Sequence, residues 1–114
     1  MEPVDIAHRA VEAASDKQAG DIVMLDTHEV CSFADYFVIC SGQTRRQLEA
    51  IQDGIEQTLK QEGTRSLHRE GDVASGWVLL DFGSVIIHIF APTQREYYQL
   101  DELWSKAPAV VRVQ

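Results

Sequence analysis

Two carboxylates separated by one glycine are the first candidates for chemistry in this sequence. Nucleotidyl transfer uses a small Gly/Ser turn before a helix to hold phosphates, and two acids two residues apart on the next strand to hold divalent metal. Ser41-Gly42 precedes a predicted helix, and Glu70-Gly71-Asp72 follows the next predicted strand. Alternation along a strand would direct both acids to one side, but the central glycine favours a turn. A structural role is therefore preferred, and a nucleotidyltransferase-like enzyme with Glu70 and Asp72 as metal ligands stays as the alternative.

The other reactive groups lack the partners that catalysis needs. His88 could act as a general base near neutral pH, but the acid nearest to it in a predicted hairpin, Asp81, is offset along the neighbouring strand. The sequence contains no Gly-x-Ser-x-Gly, no Gly-x-Gly-x-x-Gly and no Walker sequence. Its four histidines do not recur at metal-ligand spacing. We therefore expect a protein that is not an enzyme and that uses no metal and no cofactor.

Cysteine usage and the first residues indicate the compartment. Cys31 and Cys40 belong to no Cys-x-x-Cys pattern. The chain begins with an early acid and has no basic segment before an apolar run, unlike a secretory signal or a transit peptide. No apolar run approaches the roughly 20 residues that cross a bilayer. We expect a cytosolic protein with two reduced thiols and with Cys40, which lies in an apolar run, in the core.

Composition predicts one acidic domain that covers residues 1–114. Of the 114 residues, 45% are hydrophobic and 25% are charged, as in globular proteins, and the formal net charge is −8. This excess of acid disfavours direct binding to a phosphate backbone. Arg45, Arg46 and Arg95 are too few for a nucleic-acid stripe. The charge favours a basic protein partner, although it could equally serve solubility alone.

A predicted β-hairpin at residues 77–90 carries the candidate binding surface. Two runs rich in β-branched and aromatic residues flank Gly83-Ser84, which is a two-residue turn signal. The register of such a turn places six apolar residues on a core face: Val78, Leu80, Phe82, Val85, Ile87 and Ile89. The opposite face mixes apolar and aromatic side chains with one acid and one histidine, as binding surfaces do: Trp77, Leu79, Asp81, Ile86, His88 and Phe90.

The remaining patterns predict an α/β (α+β-like) mixed sheet of about five strands, with the helices gathered on one side. Thr44 with Gln47, and Thr93 with Glu96, have capping-box spacing at the starts of the second and last helices. The strand before the second helix has a continuous apolar run, which predicts a central position. A strand-helix-strand sequence predicts a parallel, right-handed crossover. The predicted ranges are a helix at 3–16, strands at 21–26 and 36–41, a helix at 45–63, an edge strand at 65–69, a loop at 70–76, the hairpin, and a helix from 93 to 104.

Several blocks of the sequence resemble the ribosomal silencing factor family, also called Iojap-like. They include Ala-Asp-Tyr-Phe at 34–37 and the two hairpin strands, and they occur in the family's order: 34–42, 69–71, 76–83, 85–90 and 95–104. The resemblance runs from the first helix to Trp104. It implies a fold like that of the nucleotidyltransferases without their activity.

The family resemblance also implies a function. It implies a translation repressor that binds the large ribosomal subunit through its fourteenth protein, blocks joining of the small subunit, and lowers translation when nutrients are scarce. It assigns partner contact to Trp77, Leu79, Asp81 and His88, while Ile86 and Phe90 are added from face geometry. Ser84 departs from the aspartate that is usual after the hairpin glycine. Since an open apolar patch also promotes self-association, we expect a homodimer in the free state.

Overall fold

Six strands and four α-helices make up the computed structural model, which describes residues 1–114. The helices are α1 (Pro3–Asp16), α2 (Arg45–Gln61), α3 (Pro92–Tyr98) and α4 (Leu100–Leu103), with a short 3-10 helix at Val73–Ser75. The strands are β1 (Gly20–Asp26), β2 (Tyr36–Ser41), β3 (His68–Asp72), β4 (Trp77–Asp81), β5 (Val85–Phe90) and β6 (Ala109–Val113). They form one α/β domain, as predicted.

The strands form one mixed sheet in the spatial order β3-β4-β5-β2-β1-β6. Neighbouring strands are antiparallel except β2 and β5, which are parallel. The apolar strand β2 is central, as its continuous hydrophobicity predicted. β3 runs in the direction of β2 with β5 and β4 between them, so the predicted crossover is parallel, while its handedness stays a prediction.

One face of the sheet is covered by α1 and α2, and this interface forms the larger core cluster. The second helix contributes four buried residues from one apolar face, and none of them is more than 3% exposed: Leu48, Ile51, Ile55 and Leu59. Thr44 begins this helix by accepting a hydrogen bond from the Gln47 amide at 3.1 Å. The Gln47 side chain accepts from the Gln43 amide at 2.6 Å and not from that of Thr44, so the predicted box is only half formed.

The hairpin has the predicted two-residue loop. Trp77 is paired with Phe90, and Asp81 with Ile86, which is the register of the even loop. The Phe82 amide donates to the Val85 carbonyl at 2.9 Å, which closes the loop. All six residues assigned to the core face are buried: Val78, Leu80, Phe82, Val85, Ile87 and Ile89.

The last helical segment differs from the prediction in three ways. It is two short helices, because Gln99 between them has a left-handed backbone with φ 48°. The first of them begins at Pro92 with Ala91 as its N-cap and has no side-chain cap, while the Thr93 hydroxyl donates to the Gln94 side chain at 2.8 Å. Finally, Leu100 and Trp104 pack on the sheet face opposite α1 and α2. The expectation that all helices lie on one side was therefore wrong.

Two edge strands also differ from the prediction. β3 covers His68–Asp72 and not residues 65–69, so part of the predicted 70–76 loop belongs to the sheet. β6 (Ala109–Val113) was not predicted, since the predicted elements end at residue 104. It pairs antiparallel with β1 and gives the sheet its sixth strand.

Both cysteines are free thiols in the core, on opposite faces of the sheet. Cys40 belongs to the cluster under α1 and α2, as predicted, and Cys31 belongs to the cluster on the other face. Burial raises the pKa of the Cys40 thiol to about 12, so it stays protonated near neutral pH. None of the helices has both the length and the apolar character that a membrane crossing needs.

Candidate functional site

Half of the predicted binding face is closed in the structure. Ile86, His88 and Phe90 are 7%, 5% and 0% exposed. Ile86 and Phe90 belong to a second core cluster with side chains of β2, and Leu100 and Trp104 pack against this cluster. The His88 ring packs beside it, with its centroid 5.3 Å from that of Phe37 and 6.0 Å from that of Phe90. The expectation that these three side chains lie on an open face was therefore wrong, because they are on a central strand that the chain after α3 covers.

The open half of the face lies on β4. Trp77, Leu79 and Asp81 alternate there with buried residues and are each partly exposed. The Asp81 carboxylate accepts a hydrogen bond from the Gly83 amide at 2.7 Å, so it stabilises the hairpin turn. Trp77 and Leu79 are consequently the two predicted contact residues that offer apolar side chains to a partner.

These two residues line a groove of 510 Å³ between the β3-β4 edge of the sheet and α3. We call this cavity the aromatic groove; its lining residues are Glu70, Gly71, Ser75, Trp77, Leu79, Gln94, Tyr97 and Tyr98. The Tyr98 ring centroid lies 4.5 Å from that of Trp77 and 5.0 Å from that of Tyr97. Tyr97 is 81% exposed and Tyr98 is 44% exposed. The groove therefore has a half-buried indole and two accessible phenol rings.

The sequence prediction did not include Tyr97 or Tyr98 among the contact residues. One signal could have identified them. Consecutive helical residues are about 100° apart around the axis, so Tyr97 and Tyr98 cannot both lie at the centre of one buried stripe. In the structure, α3 contributes no buried residue.

His88 is a buried residue that contacts the Trp77 indole of the groove. Its Nδ1 accepts a hydrogen bond from the Trp77 indole Nε1 at 3.2 Å. Since an indole nitrogen only donates, Nδ1 carries no proton and the proton of the neutral ring lies on Nε2, which is buried and has no hydrogen-bond partner. Burial lowers the pKa of His88 to about 4, and the charge of Asp101 opposes this shift. The imidazole is therefore neutral at pH 7 and is not a surface base.

Arg95 holds the two short helices against the sheet. Its guanidinium donates to both carboxylate oxygens of Asp101, at 3.3 and 3.0 Å. It also donates to the Ser41 hydroxyl at 2.9 Å and to the Asp21 carbonyl at 2.6 Å. This one side chain thus joins α3 and α4 to the ends of β1 and β2.

The carboxylate pair of the enzymatic alternative lies on β3, so the turn predicted for it was wrong. Gly71 between the two acids has φ 73°, and a Cβ there would lie 2.2 Å from the Trp77 carbonyl oxygen. The Asp72 carboxylate accepts from the Ser75 amide at 2.8 Å and so caps the 3-10 helix. The Ser41 hydroxyl is occupied by Arg95. These bonds engage the Asp72 carboxylate and the Ser41 hydroxyl but not Glu70, and no three His, Cys, Asp or Glu side chains cluster as metal ligands.

The fold and the site define a mixed α/β domain with an aromatic groove at one edge of its sheet. Over residues 1–114 the chain matches the family model described as "Ribosomal silencing factor during starvation". The chain belongs to this family, as the resemblance of its sequence blocks indicated.

Individual relatives agree with this assignment. Ribosomal silencing factor RsfS of Bacillus subtilis is 38% identical over 108 residues, which are 95% of this chain and 92% of that protein. A mouse protein named mitochondrial assembly of ribosomal large subunit protein 1 is 36% identical over 92 residues, which are 78% of this chain and 40% of the mouse protein. A crystal structure of a Chromobacterium violaceum protein has a TM-score of 0.88 at 33% identity and covers 97% of this chain and 94% of its own.

Proposed function

We propose that this protein binds the large ribosomal subunit through the subunit's fourteenth protein and thereby blocks joining of the small subunit. The observation that carries this proposal is the exposed aromatic groove on an acidic domain of the ribosomal silencing factor family. The name of the mouse relative connects that protein to the large subunit. The same activity would repress translation under nutrient limitation, in the cytoplasm, without any catalytic turnover.

The composition of the groove suits a protein partner. Buried aromatic side chains with a polar rim are typical of the residues that dominate binding energy at interfaces. The net charge of −8 would attract a basic protein and would disfavour close contact with ribosomal RNA. The groove is therefore a better candidate for protein contact than for nucleic-acid contact.

The size of the domain supports a steric mechanism. The molecule measures 33 × 32 × 24 Å and has an accessible surface of 6400 Å². A standard interface buries about 800 Å² on each partner, so most of the domain would project from its docking site. A domain of these dimensions that projects from the subunit surface would occupy space that the other subunit needs.

Tyr97→Ala is the sharpest test of this proposal. Trp77→Ala would also remove the indole that stacks on Phe90 at 5.2 Å and bonds to His88, so it would confound binding with stability. Tyr97 is 81% exposed, and its removal should spare the fold. If it is an interface anchor, Tyr97→Ala should weaken binding by about 2 kcal/mol, which is roughly 30-fold.

The measurement is co-sedimentation with purified large subunits, followed by a subunit-association assay. The wild type should sediment with large subunits and reduce formation of joined ribosomes, and Tyr97→Ala should lose both effects together. Val110→Ala is the matched control, because Val110 is an exposed apolar residue on β6 at the opposite edge of the sheet. Absence of wild-type binding, or equal binding by Tyr97→Ala and wild type, would contradict the proposal.

We also infer that free protein forms a homodimer through the same groove. An open apolar surface of this kind promotes self-association, and binding to the ribosome would then compete with it. Sedimentation velocity should show a dimer for wild type and a shift toward monomer for Tyr97→Ala. A wild-type monomer at all concentrations would exclude this inference.

A further inference from the structure

We propose that the aromatic groove holds an arginine side chain of the partner, with the guanidinium stacked on the tyrosine rings and paired with Glu70. This inference rests on the proposed function, since it specifies the chemistry of the contact that the groove would make. It goes further by naming one type of side chain and the two interactions that recognise it.

The tyrosines provide the stacking surface. The rings of Tyr97 and Tyr98 are perpendicular, with an interplanar angle of 90°, and form a corner beside the Trp77 indole. The indole is fixed from below by its bond to His88 at 3.2 Å and by stacking on Phe90. A planar cation entering this corner would meet the negative face of an accessible phenol ring. The corner is already assembled in the unbound protein, which reduces the ordering cost of binding.

Glu70 supplies the opposite charge. It lines the same groove from β3, and its side chain is 63% exposed. Its neighbour among basic groups is the His68 Nε2, 3.4 Å from a Glu70 carboxylate oxygen. Arg69 is paired with Glu56 on α2 at 3.1 Å and does not line the groove. The groove therefore has an acid but no lysine or arginine of its own to neutralise it.

Arginine fits this combination better than the other side chains that could enter. An apolar side chain would pack against the aromatic rings, but it would also displace water from the Glu70 carboxylate and offer no positive charge or hydrogen-bond donor in return. Lysine would satisfy the charge, but its compact ammonium does not stack as a plane and forms no two-pronged pair with a carboxylate. The guanidinium does both, and arginine is the more frequent cation over aromatic rings in proteins.

Substitutions at Tyr97 separate stacking from general apolar contact. Tyr97→Phe keeps the ring and should leave affinity for purified large subunits within about twofold of wild type, whereas Tyr97→Leu keeps apolar bulk without a ring and should lose about fivefold or more. Equal binding by the Phe and Leu variants, while wild type binds, would overturn the stacked cation but leave the proposed function intact. Loss of binding by wild type itself would instead overturn the proposed function.

Glu70→Gln tests the ion pair between Glu70 and the partner's arginine. Glu29→Gln is the control, because it removes the same negative charge at a different position. Glu29 lies outside the groove and its side chain is 85% exposed. At low ionic strength Glu70→Gln should weaken binding about fivefold and Glu29→Gln less than twofold, and raising the salt concentration should reduce the difference. Equal effects of the two substitutions would show that only net charge matters and would overturn the pair.

A peptide experiment tests the site without the ribosome. In an NMR titration with up to about 1 mM peptide, tetra-arginine should shift the ring resonances of Tyr97 and Tyr98. Its neutral isostere, tetra-citrulline, should not shift them. Equal shifts with both peptides, or shifts with tetra-arginine only outside these two rings, would overturn the proposal. Tetra-lysine is the third peptide to be compared. If its shifts are as large as those with tetra-arginine, the groove selects charge and not the guanidinium plane, and the assignment of arginine is overturned.

Discussion

Acidification should destabilise this protein through His88. In the folded protein the imidazole is neutral, because burial lowers its pKa to about 4 from the ordinary 6.5. Protonation would place a proton on Nδ1, which faces the Trp77 indole N–H at 3.2 Å, so two donors would oppose each other. In the unfolded chain the same imidazole takes up its proton near pH 6.5. Between these two values only the unfolded state gains a proton, and folding weakens as the pH falls.

The size of the effect follows from proton linkage. The stability that neutral His88 contributes is fully present above pH 6.5, declines through the window between pH 6.5 and 4, and is lost below it. With a pKa of about 4 in the folded state, the loss is about 2 kcal/mol at pH 5 and about 3 kcal/mol at pH 4. Small domains have only about 5–15 kcal/mol in total, so this one group would account for a large part of the acid sensitivity.

Urea unfolding at a series of pH values would measure it. The free energy of unfolding should fall more steeply from pH 7 to 4.5 for wild type than for His88→Gln, whose side chain does not titrate. His68→Gln, at a 60% exposed position, should retain the wild-type slope. Should His88→Gln fail to fold, an NMR titration of wild type decides directly, because the pKa of His88 should be about 4, well below the ordinary 6.5 of an imidazole. Parallel curves for wild type and His88→Gln, or an ordinary pKa for His88, would refute the reasoning.

Two further substitutions test the parts that shape the groove. Gly71→Ala should destabilise the fold by about 2 kcal/mol or more, because the new Cβ would lie 2.2 Å from the Trp77 carbonyl oxygen. Gly63→Ala is its control in urea unfolding, since Gly63 has a similar φ of 89° but nothing within 4 Å; equal losses would mean that the clash is relieved. Arg95→Met should cost about 2 kcal/mol by removing the hydrogen bonds of the guanidinium to Asp101, whose side chain is 35% exposed, and amide exchange should increase first in α3 and α4. A loss under about 0.5 kcal/mol would show that the short helices are held by packing alone.

The hairpin could be predicted because its signals are local. A two-residue loop and strict alternation determine which side chains share a face, so Trp77 opposite Phe90 followed from the sequence. The second helix was predictable for the same reason, since its cap at Thr44 and its apolar face lie within 17 residues. β6 was not, because a short edge strand is stabilised by a partner that is distant in sequence, and Val111 pairs with Met24. A contact between residues that are far apart in the sequence produces no periodic pattern of apolar residues within the strand itself, so the sequence of β6 does not reveal its pairing with β1.

The site was predicted only in part, because coverage of a sheet face is a tertiary property. Alternation placed Trp77 and His88 on the same face but could not show that Leu100 and Trp104 would cover half of it. The covering segment was assigned to the side of α1 and α2, and this error made the face look open throughout. The tyrosines of the groove were missed for the same reason, since they belong to the segment whose position was wrong.

The burial of His88 explains why a histidine stands among aromatic residues in a binding face. A phenylalanine there would fill similar volume but would leave the partly buried Trp77 N–H without an acceptor, at a cost of about 1–3 kcal/mol. Neutral His88 accepts that hydrogen bond at 3.2 Å and restricts rotation of the indole. A fixed indole loses less conformational entropy when a partner binds. The histidine and aspartate that first suggested catalysis are therefore better explained by structural roles. His88 orients the Trp77 indole in the groove, and Asp81 stabilises the adjacent hairpin turn.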